Sequence, residues 1–504
     1  MSTVTPQHST RPNILLITAD QFRWDALGCM GNPVIQTPNL DGLAQRGVRF
    51  RNAFTPDPIC VPARAAIMTG NYPHVCTGSK NNSGRIRDGQ PLLTETLKAV
   101  GYRTYILGKL HFVPYSPPGQ PRLVHGFEHV ELTESGRMLA QFDPTGEMEG
   151  IEDYFDYLRD VGYFGYTRAH GIGNNDVHPC RSPLPPEHTV DHWIADCTLR
   201  QLARHQKDFN DRPFFLWMSS PKPHSPYDPP DPYDGMYDPR QVPPPYGDES
   251  LLERINPRIE ASRMSHYQDM LSPQARQVIK AYYYGCISWL DRMVGRVLNS
   301  LEEDGLLDDT LILFTSDHGD LMGDFGTWFK SNHMNGSVRV PFLAAGPGVS
   351  SGAVSDALVG LQDILPTFAA AARAPIGAPV QGQDLAPVLA EPAAAVRDVY
   401  YASTLEGDYS SAMICDGRWK YVYSAANATE ELYDQTNDPG EVDNLAGSAP
   451  HADLLAALRE QLIDQARATG DDSLLPDGAL RRASIDRETL RSRQGAGGMG
   501  WRWY

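Results

Sequence analysis

No apolar run in this sequence reaches the about 20 residues that a membrane-spanning helix needs. The stretch from Met1 to Arg11 is polar and lacks the apolar centre of a secretory leader. Basic residues are also scarce: 44 Lys and Arg against 62 Asp and Glu leave a formal net charge of −18. That balance argues against nucleic acid or an anionic membrane surface as a partner, and it makes any cluster of cations notable. Cysteine is sparse and odd in number, with seven in 504 residues and no pair at zinc-finger spacing. Neither a disulfide framework nor a structural zinc site is expected, and a reducing cytoplasm is the expected location. No internal repeat is present. With 41% apolar and 21% charged residues the chain reads as soluble and globular, long enough for two or more structural units.

Four short, continuously apolar runs end in polar chemistry. Asn13 to Thr18 leads to Asp20-Gln21, and Tyr102 to Leu107 leads to Gly108-Lys109-Leu110-His111. Pro213 to Met218 leads to Lys222-Pro223-His224, and Leu311 to Thr315 leads to Asp317-His318-Gly319. Such runs predict strands buried on both faces. Helical stretches at Leu92–Val100, His188–His205 and Gln274–Glu303 lie between them. The expected fold class is therefore α/β, a large and mostly parallel sheet sandwiched by helices. Ligands in such folds bind beyond the carboxyl ends of the strands, where all four polar clusters fall. From about residue 396 short runs separated by turns predict an antiparallel sheet followed by a helix over Ala452–Ala468. The expected division is a catalytic domain over 1–395 and a smaller α+β subdomain over 396–504. The proline-rich stretch Pro221–Pro245 reads as an ordered surface loop or lid.

Cys60-Val61-Pro62-Ala63-Arg64 predicts a helix start. Ala63 to Met68 are helix formers, Pro62 suits the first turn and Gly70 a C-terminal cap. Cys60 then sits where unpaired N–H groups and the positive end of the helix dipole point, and Arg64 lies one turn further on. Taken alone, the pentapeptide fits a half-buried structural cysteine equally well. Asp20, Gln21, Asp317 and His318 offer mainly oxygen donors with one imidazole, which favours Ca²⁺ or Mg²⁺ and leaves Mn²⁺ open. Each has an ordinary explanation singly. Two such pairs at the ends of two buried strands, with the Cys60 motif, make a divalent-cation centre the expected reading.

Cys60-x-Pro62-x-Arg64, followed by Thr69-Gly70 and Tyr72-Pro73, resembles the signature of the sulfatase family in the alkaline-phosphatase superfamily. Glu431-Leu432-Tyr433-Asp434, Asp438-Pro439 and Asn444-Leu445 resemble that family's C-terminal subdomain, so the likeness runs from Arg11 to Ala446. The resemblance implies hydrolysis of small-molecule sulfate esters. It also implies that a dedicated maturation enzyme oxidises Cys60 to formylglycine, whose hydrated aldehyde is the nucleophile. Ca²⁺ would be held by Asp20, Gln21, Asp317, His318 and residue 60. Many family members carry Asp where Gln21 stands, so the site here is less negative and other divalent ions enter more readily. By the same resemblance Asp317 accepts the nucleophile's proton, and Arg64 and Lys109 hold sulfonate oxygens. His224, assisted by Lys330, protonates the leaving oxygen, and His111 is the base of the second step. Asn81 is a leaving-group contact.

A phosphonate monoester or phosphodiester hydrolase of the same superfamily is the first alternative, although Lys109 and His111 fit it less well. An inactive anion-binding protein on the same fold is the second. The leaving group stays open among choline, alkyl, aryl and carbohydrate sulfates. Glu406, in Leu405-Glu406-Gly407, offers a carboxylate to a cationic one. The tail from Gly495 to Tyr504 is a glycine-rich tether ending in Trp501, Trp503 and Tyr504, residues typical of binding cores. It is expected to dock on a neighbouring subunit or at the active-site mouth, in a homo-oligomer.

Overall fold

The four apolar runs become adjacent central strands of an eight-stranded sheet. Its members are β1 (Asn13–Asp20), β2 (Val48–Phe54), β3 (Arg103–Gly108), β4 (His129–Leu132), β5 (Phe214–Pro223), β6 (Thr310–Ser316), β7 (Phe342–Ala345) and β8 (Ala353–Gly360). They lie in the order β4-β3-β5-β1-β6-β7-β2-β8. Every neighbouring pair is parallel except the two made by β7. This computed structural model describes residues 11–111, 121–133, 149–150, 152–173, 175–254, 257, 259 and 268–487. The aromatic tail, and the docking expected of it, lie outside the described residues.

Both faces of the sheet are covered, which is why the strands read as unbroken apolar runs. In β1, Leu15 and Ile17 enter one core with α1 (Pro38–Arg46), α3 (Val190–Phe209) and α4 (Pro273–Glu303). Ile14 and Leu16 enter the other, with α2 (Cys60–Thr69) and α5 (Ile364–Ala371). The alternation follows from the two-residue period of a strand. Helix α4 starts where Ser272 Oγ accepts from the Ala275 N–H at 3.1 Å, with Pro273 in the first turn. The proline-rich stretch is ordered and runs along α4. Lys280 Nζ donates to Pro243 O at 3.0 Å, and Tyr237 Oη accepts from Gln36 N at 2.8 Å.

The second sheet is an antiparallel meander of β9 (Tyr400–Thr404), β10 (Ser411–Cys415), β11 (Trp419–Ser424) and β12 (Thr429–Asp434). It too is buried on both faces. Tyr401, Ile414 and Tyr421 pack on α6 (Ala452–Thr469) through Leu458, Leu462 and Ala466. Tyr400, Ala402, Met413 and Val422 pack on Phe54, Val338 and Leu358 of the larger unit. Buried polar contacts cross the junction: Lys80 Nζ pairs with Asp471 Oδ2 at 2.6 Å, and Lys420, itself paired with Glu441, donates its Nζ to His333 O at 2.6 Å. All seven cysteines are free thiols, and among the described residues no helix is long and apolar enough to cross a membrane.

Lys80 and Asp471 are nearly inaccessible, so removing one charge strands the other. Asp471→Ala is expected to lower stability by about 3–5 kcal/mol, and the double variant Lys80→Met/Asp471→Leu to regain most of it. Urea unfolding of both variants checks this. A double variant as unstable as the single would show that the pair is not the cause.

Candidate active site

Strands β1, β3, β5 and β6 run parallel, so Asp20, Lys109, His224 and Asp317 emerge at one edge of the sheet. The strand ends are close-packed there. Gly108 has φ of 109°, and a Cβ on it would stand 1.9 Å from Ser219 O, which lets Lys109 N donate to that oxygen at 2.8 Å. Gln21 also leaves β1 in the left-handed region, with φ of 68°. Helix α2 points its N-terminus at this edge, and all ten of its residues are buried, Cys60 and Arg64 included.

Four donor atoms converge there. Cys60 Sγ lies 3.2 Å from His318 Nε2 and 3.7 Å from Asp20 Oδ1. His318 Nε2 lies 3.5 Å from Asp20 Oδ1 and 3.6 Å from Asp317 Oδ1. These atoms all fall within 4.8 Å of one another. Each carboxylate turns Oδ1 to the centre and ties Oδ2 to a cation. Asp20 Oδ2 takes Lys109 Nζ, and Asp317 Oδ2 takes Arg64 Nε at 2.7 Å. His318 Nδ1 donates to Gly319 O at 3.0 Å, which leaves the Nε2 lone pair on the centre. The donors fit a divalent cation.

Gln21 stands beside this set with both ends of its amide engaged. Nε2 donates to Asp320 Oδ2 at 2.5 Å, and Oε1 accepts from Lys330 Nζ at 2.8 Å. The same ammonium reaches Cys60 Sγ at 3.2 Å. Arg64 Nη1 donates to Lys109 O at 2.9 Å and to Ser219 Oγ at 2.8 Å, while its buried Nη2 has no partner among the described residues.

Electrostatics follow from burial and from these cations. Burial opposes ionisation of Asp20, but Lys109, His224, Lys330 and His318 hold its carboxyl well below the usual range. Burial and Asp20 push the Cys60 thiol up, yet Lys330, Lys109 and His318 outweigh them and bring it to about 7. His224 is driven well below 6.5 by burial and then by Lys330, against the pull of Asp20. Its Nδ1 donates to Ser225 O at 2.9 Å, so Nε2 is the nitrogen left for a substrate.

The other expected residues divide. His111 is buried beyond β3, with φ of 66°. Asn81 folds its amide oxygen onto Ser83 N at 2.8 Å, and it is the adjacent Asn82 whose Oδ1 accepts from Val61 N at 3.1 Å. Glu406, exposed, accepts from Lys80 N at 2.7 Å and so stands next to both asparagines.

Sequence reasoning missed Asp320, Ser219 and Asp57. Asp320 accepts from Gln21, from Tyr227 Oη at 2.8 Å and from the N–H groups of Met322 and Phe329, and thereby shapes the loop that presents Lys330. Its signal was the second acid of Asp317-His318-Gly319-Asp320. Asp57, three residues before Cys60, accepts from Thr404 Oγ1 at 2.7 Å, and burial pushes its carboxyl well above the usual range. Gln21→Glu would set a carboxylate against Asp320, for an expected loss of roughly 1–3 kcal/mol with displacement of Lys330. Gln21→Glu/Asp320→Asn restores an amide–carboxylate contact and is expected to recover the loss in thermal unfolding. No recovery would exclude the contact as the cause.

The Sulfatase family model matches residues 12–374, and the model for the C-terminal region of N-sulphoglucosamine sulphohydrolase matches residues 323–468. An arylsulfatase of Clostridium perfringens is 32% identical over 474 residues, covering 90% of this chain and 94% of the relative. A choline-sulfatase of Rhizobium meliloti is 32% identical over 443 residues, covering 86% and 82%. Among solved structures, a phosphonate monoester hydrolase of Agrobacterium radiobacter superposes with a TM-score of 0.77 at 25% identity, covering 94% of this chain and all of its own. The chain belongs to the sulfatase family of sulfuric ester hydrolases.

Proposed function

We propose that this enzyme cleaves sulfate monoesters of small molecules, using a formylglycine made from Cys60 by a maturation enzyme beside a divalent cation such as Ca²⁺. The observation that carries the reading is Cys60 Sγ at the start of α2, 3.2 Å from both His318 Nε2 and Lys330 Nζ. Asp20, Asp317, His318 and residue 60 would hold the cation, with Gln21 beside them. When bound, the cation draws charge from the sulfonate, and the formylglycine supplies an oxygen nucleophile.

The remaining work falls to the chain's own groups. Arg64 Nη2 is a buried donor awaiting an acceptor, which a sulfonate oxygen supplies. Three cations, Arg64, Lys109 and Lys330, stand around Asp20, Asp317 and residue 60, so the site attracts an anion. Asp317 Oδ1, within reach of residue 60, takes the nucleophile's proton. His224 Nε2, assisted by Lys330, delivers a proton to the leaving oxygen. Burial, and then the lysine charges, hold this imidazole neutral beforehand, and the bound anion offsets the lysine part. His111 is the second base. Glu406 and the adjacent asparagines, exposed beside the helix start, are assigned to the leaving group.

A second reading, hydrolysis of phosphonate monoesters or phosphodiesters, is supported by the structural likeness to the phosphonate monoester hydrolase. The pairing of Lys109 with Asp20, and His111 beyond it, set the sulfate reading ahead.

Cys60→Ala is expected to keep its fold and lose all turnover, and chelation to remove activity that Ca²⁺, Mg²⁺ or Mn²⁺ restores. Residual sulfatase activity in Cys60→Ala would overturn the nucleophile assignment. For His224→Ala, esters with basic leaving groups are expected to slow about 10²–10⁴-fold and activated aryl esters far less. Equal losses along a leaving-group series would exclude His224 as the acid.

A further inference from the structure

We propose that, when residue 60 is left unmodified, the folded chain binds a thiophilic dication of the zinc class through Cys60 Sγ, His318 Nε2, Asp20 Oδ1 and Asp317 Oδ1, whereas the same site with formylglycine at position 60 takes hard cations. The inference rests on the metal-centre reading above and adds a change of metal preference to it.

A tetrahedral zinc site has bonds of about 2.0–2.3 Å, so its ligand atoms stand about 3.3–3.8 Å apart. The separations found are 3.2 Å from Sγ to His318 Nε2 and 3.7 Å from Sγ to Asp20 Oδ1. From Nε2 to the two Oδ1 atoms they are 3.5 and 3.6 Å. Four of the six ligand-to-ligand separations thus match a tetrahedral site, and the other two, from Asp317 to Cys60 and to Asp20, fall within 4.8 Å. Calcium takes about 6–8 oxygen ligands at longer range and has no use for sulfur.

The supports are set independently of residue 60. His318 is held by Gly319 O, Asp20 by Lys109 and Asp317 by Arg64, so three donors keep their aim whatever the fourth is. Thiolate and imidazole prefer zinc-class ions, whereas carboxylate and hydroxyl oxygens prefer Ca²⁺, Mg²⁺ and Mn²⁺. Exchanging sulfur for oxygen at one vertex thus changes the selectivity of the site. The balance is simple: the thiol proton leaves to solvent as the metal–sulfur bond forms, and no oxidant is involved in the binding itself. Lys330 Nζ, 3.2 Å from Sγ, remains a hydrogen-bond donor to the thiolate. The consequence is that folded chain left unmodified is a metal-bound form that is inert as a hydrolase.

The test uses full-length protein made without the maturation enzyme, its free Cys60 verified by peptide mass, and loaded with one equivalent of Co²⁺ as a coloured stand-in for zinc. The expected result is an intense tetrahedral ligand-field spectrum with a sulfur-to-cobalt charge-transfer band, bleached by one equivalent of Zn²⁺ and not by Ca²⁺. The band is expected to vanish in Cys60→Ser, in Cys60→Ala and in the matured protein, with circular dichroism confirming that each is folded. A weak octahedral spectrum without the band, or a band that survives in folded Cys60→Ser, overturns the proposal. Calorimetric titration of the matured protein with Ca²⁺ and Mn²⁺ separates the two levels. Binding there without the band in the precursor sinks the thiolate site alone, whereas no binding of any dication to either form sinks the metal centre as well.

Discussion

One guanidinium, that of Arg64, joins the helix that carries Cys60 to the ends of three strands. It bonds Asp317 beyond β6, the carbonyl of Lys109 beyond β3 and the hydroxyl of Ser219 in β5. Arg64 and Asp317 are both fully buried, so neither finds water if the other is lost. The pair gives little net stability of this kind and much geometry. It fixes residue 60 against the Oδ1 of Asp317 and, through the Lys109 backbone, against the ammonium that holds Asp20. A planar, five-donor cation is suited to this role; a lysine at position 64 would make one of those bonds at a time.

The smaller sheet also shapes the site. Ser403 N donates to Pro56 O at 3.0 Å and Thr404 to Asp57, so β9 braces the segment that leads into Cys60. Glu406, just beyond β9, then accepts from Lys80 and places the asparagines beside the helix start. Asp320 does the corresponding work on the other side, through Gln21 and the loop that carries Lys330. Residue 60 is thus held between a brace from the C-terminal unit and a carboxylate hub beyond β6.

Much of this was legible in the sequence, for a physical reason. Strands buried on both faces leave unbroken apolar runs, and those runs located β1, β3, β5 and β6 and hence the edge where the chemistry lies. The strands that escaped notice are those with weak patterns. β2 is interrupted by Arg49 and Arg51, β4 and β7 are four residues long, and β8 carries the exposed Asp356. The cysteine, the two acid-led pairs and the lysines stood in recognisable motifs. Ser219 and Asp57 did not, and Asp320 showed only as a second acid beside Asp317, because their roles depend on which loops meet, which no local pattern encodes. The register of Asn81 and Asn82 failed to declare itself for the same reason: one turns inward on its own loop and the other reaches Val61.

The amide at position 21 shows how such a site constrains its own variation. An acid there would add negative charge beside the four donors, yet Asp320 already faces the same place with a carboxylate. The central claim is that matured residue 60 among these cations makes a sulfate-selective centre. The most direct measurement is kcat/KM for a sulfate monoester, a phosphonate monoester and a phosphodiester that share one aryl leaving group, with formylglycine content at position 60 quantified in the same sample. The account predicts that turnover scales with formylglycine content and that the sulfate monoester is preferred. Turnover independent of that content, or a preference for either phosphorus ester, would contradict it.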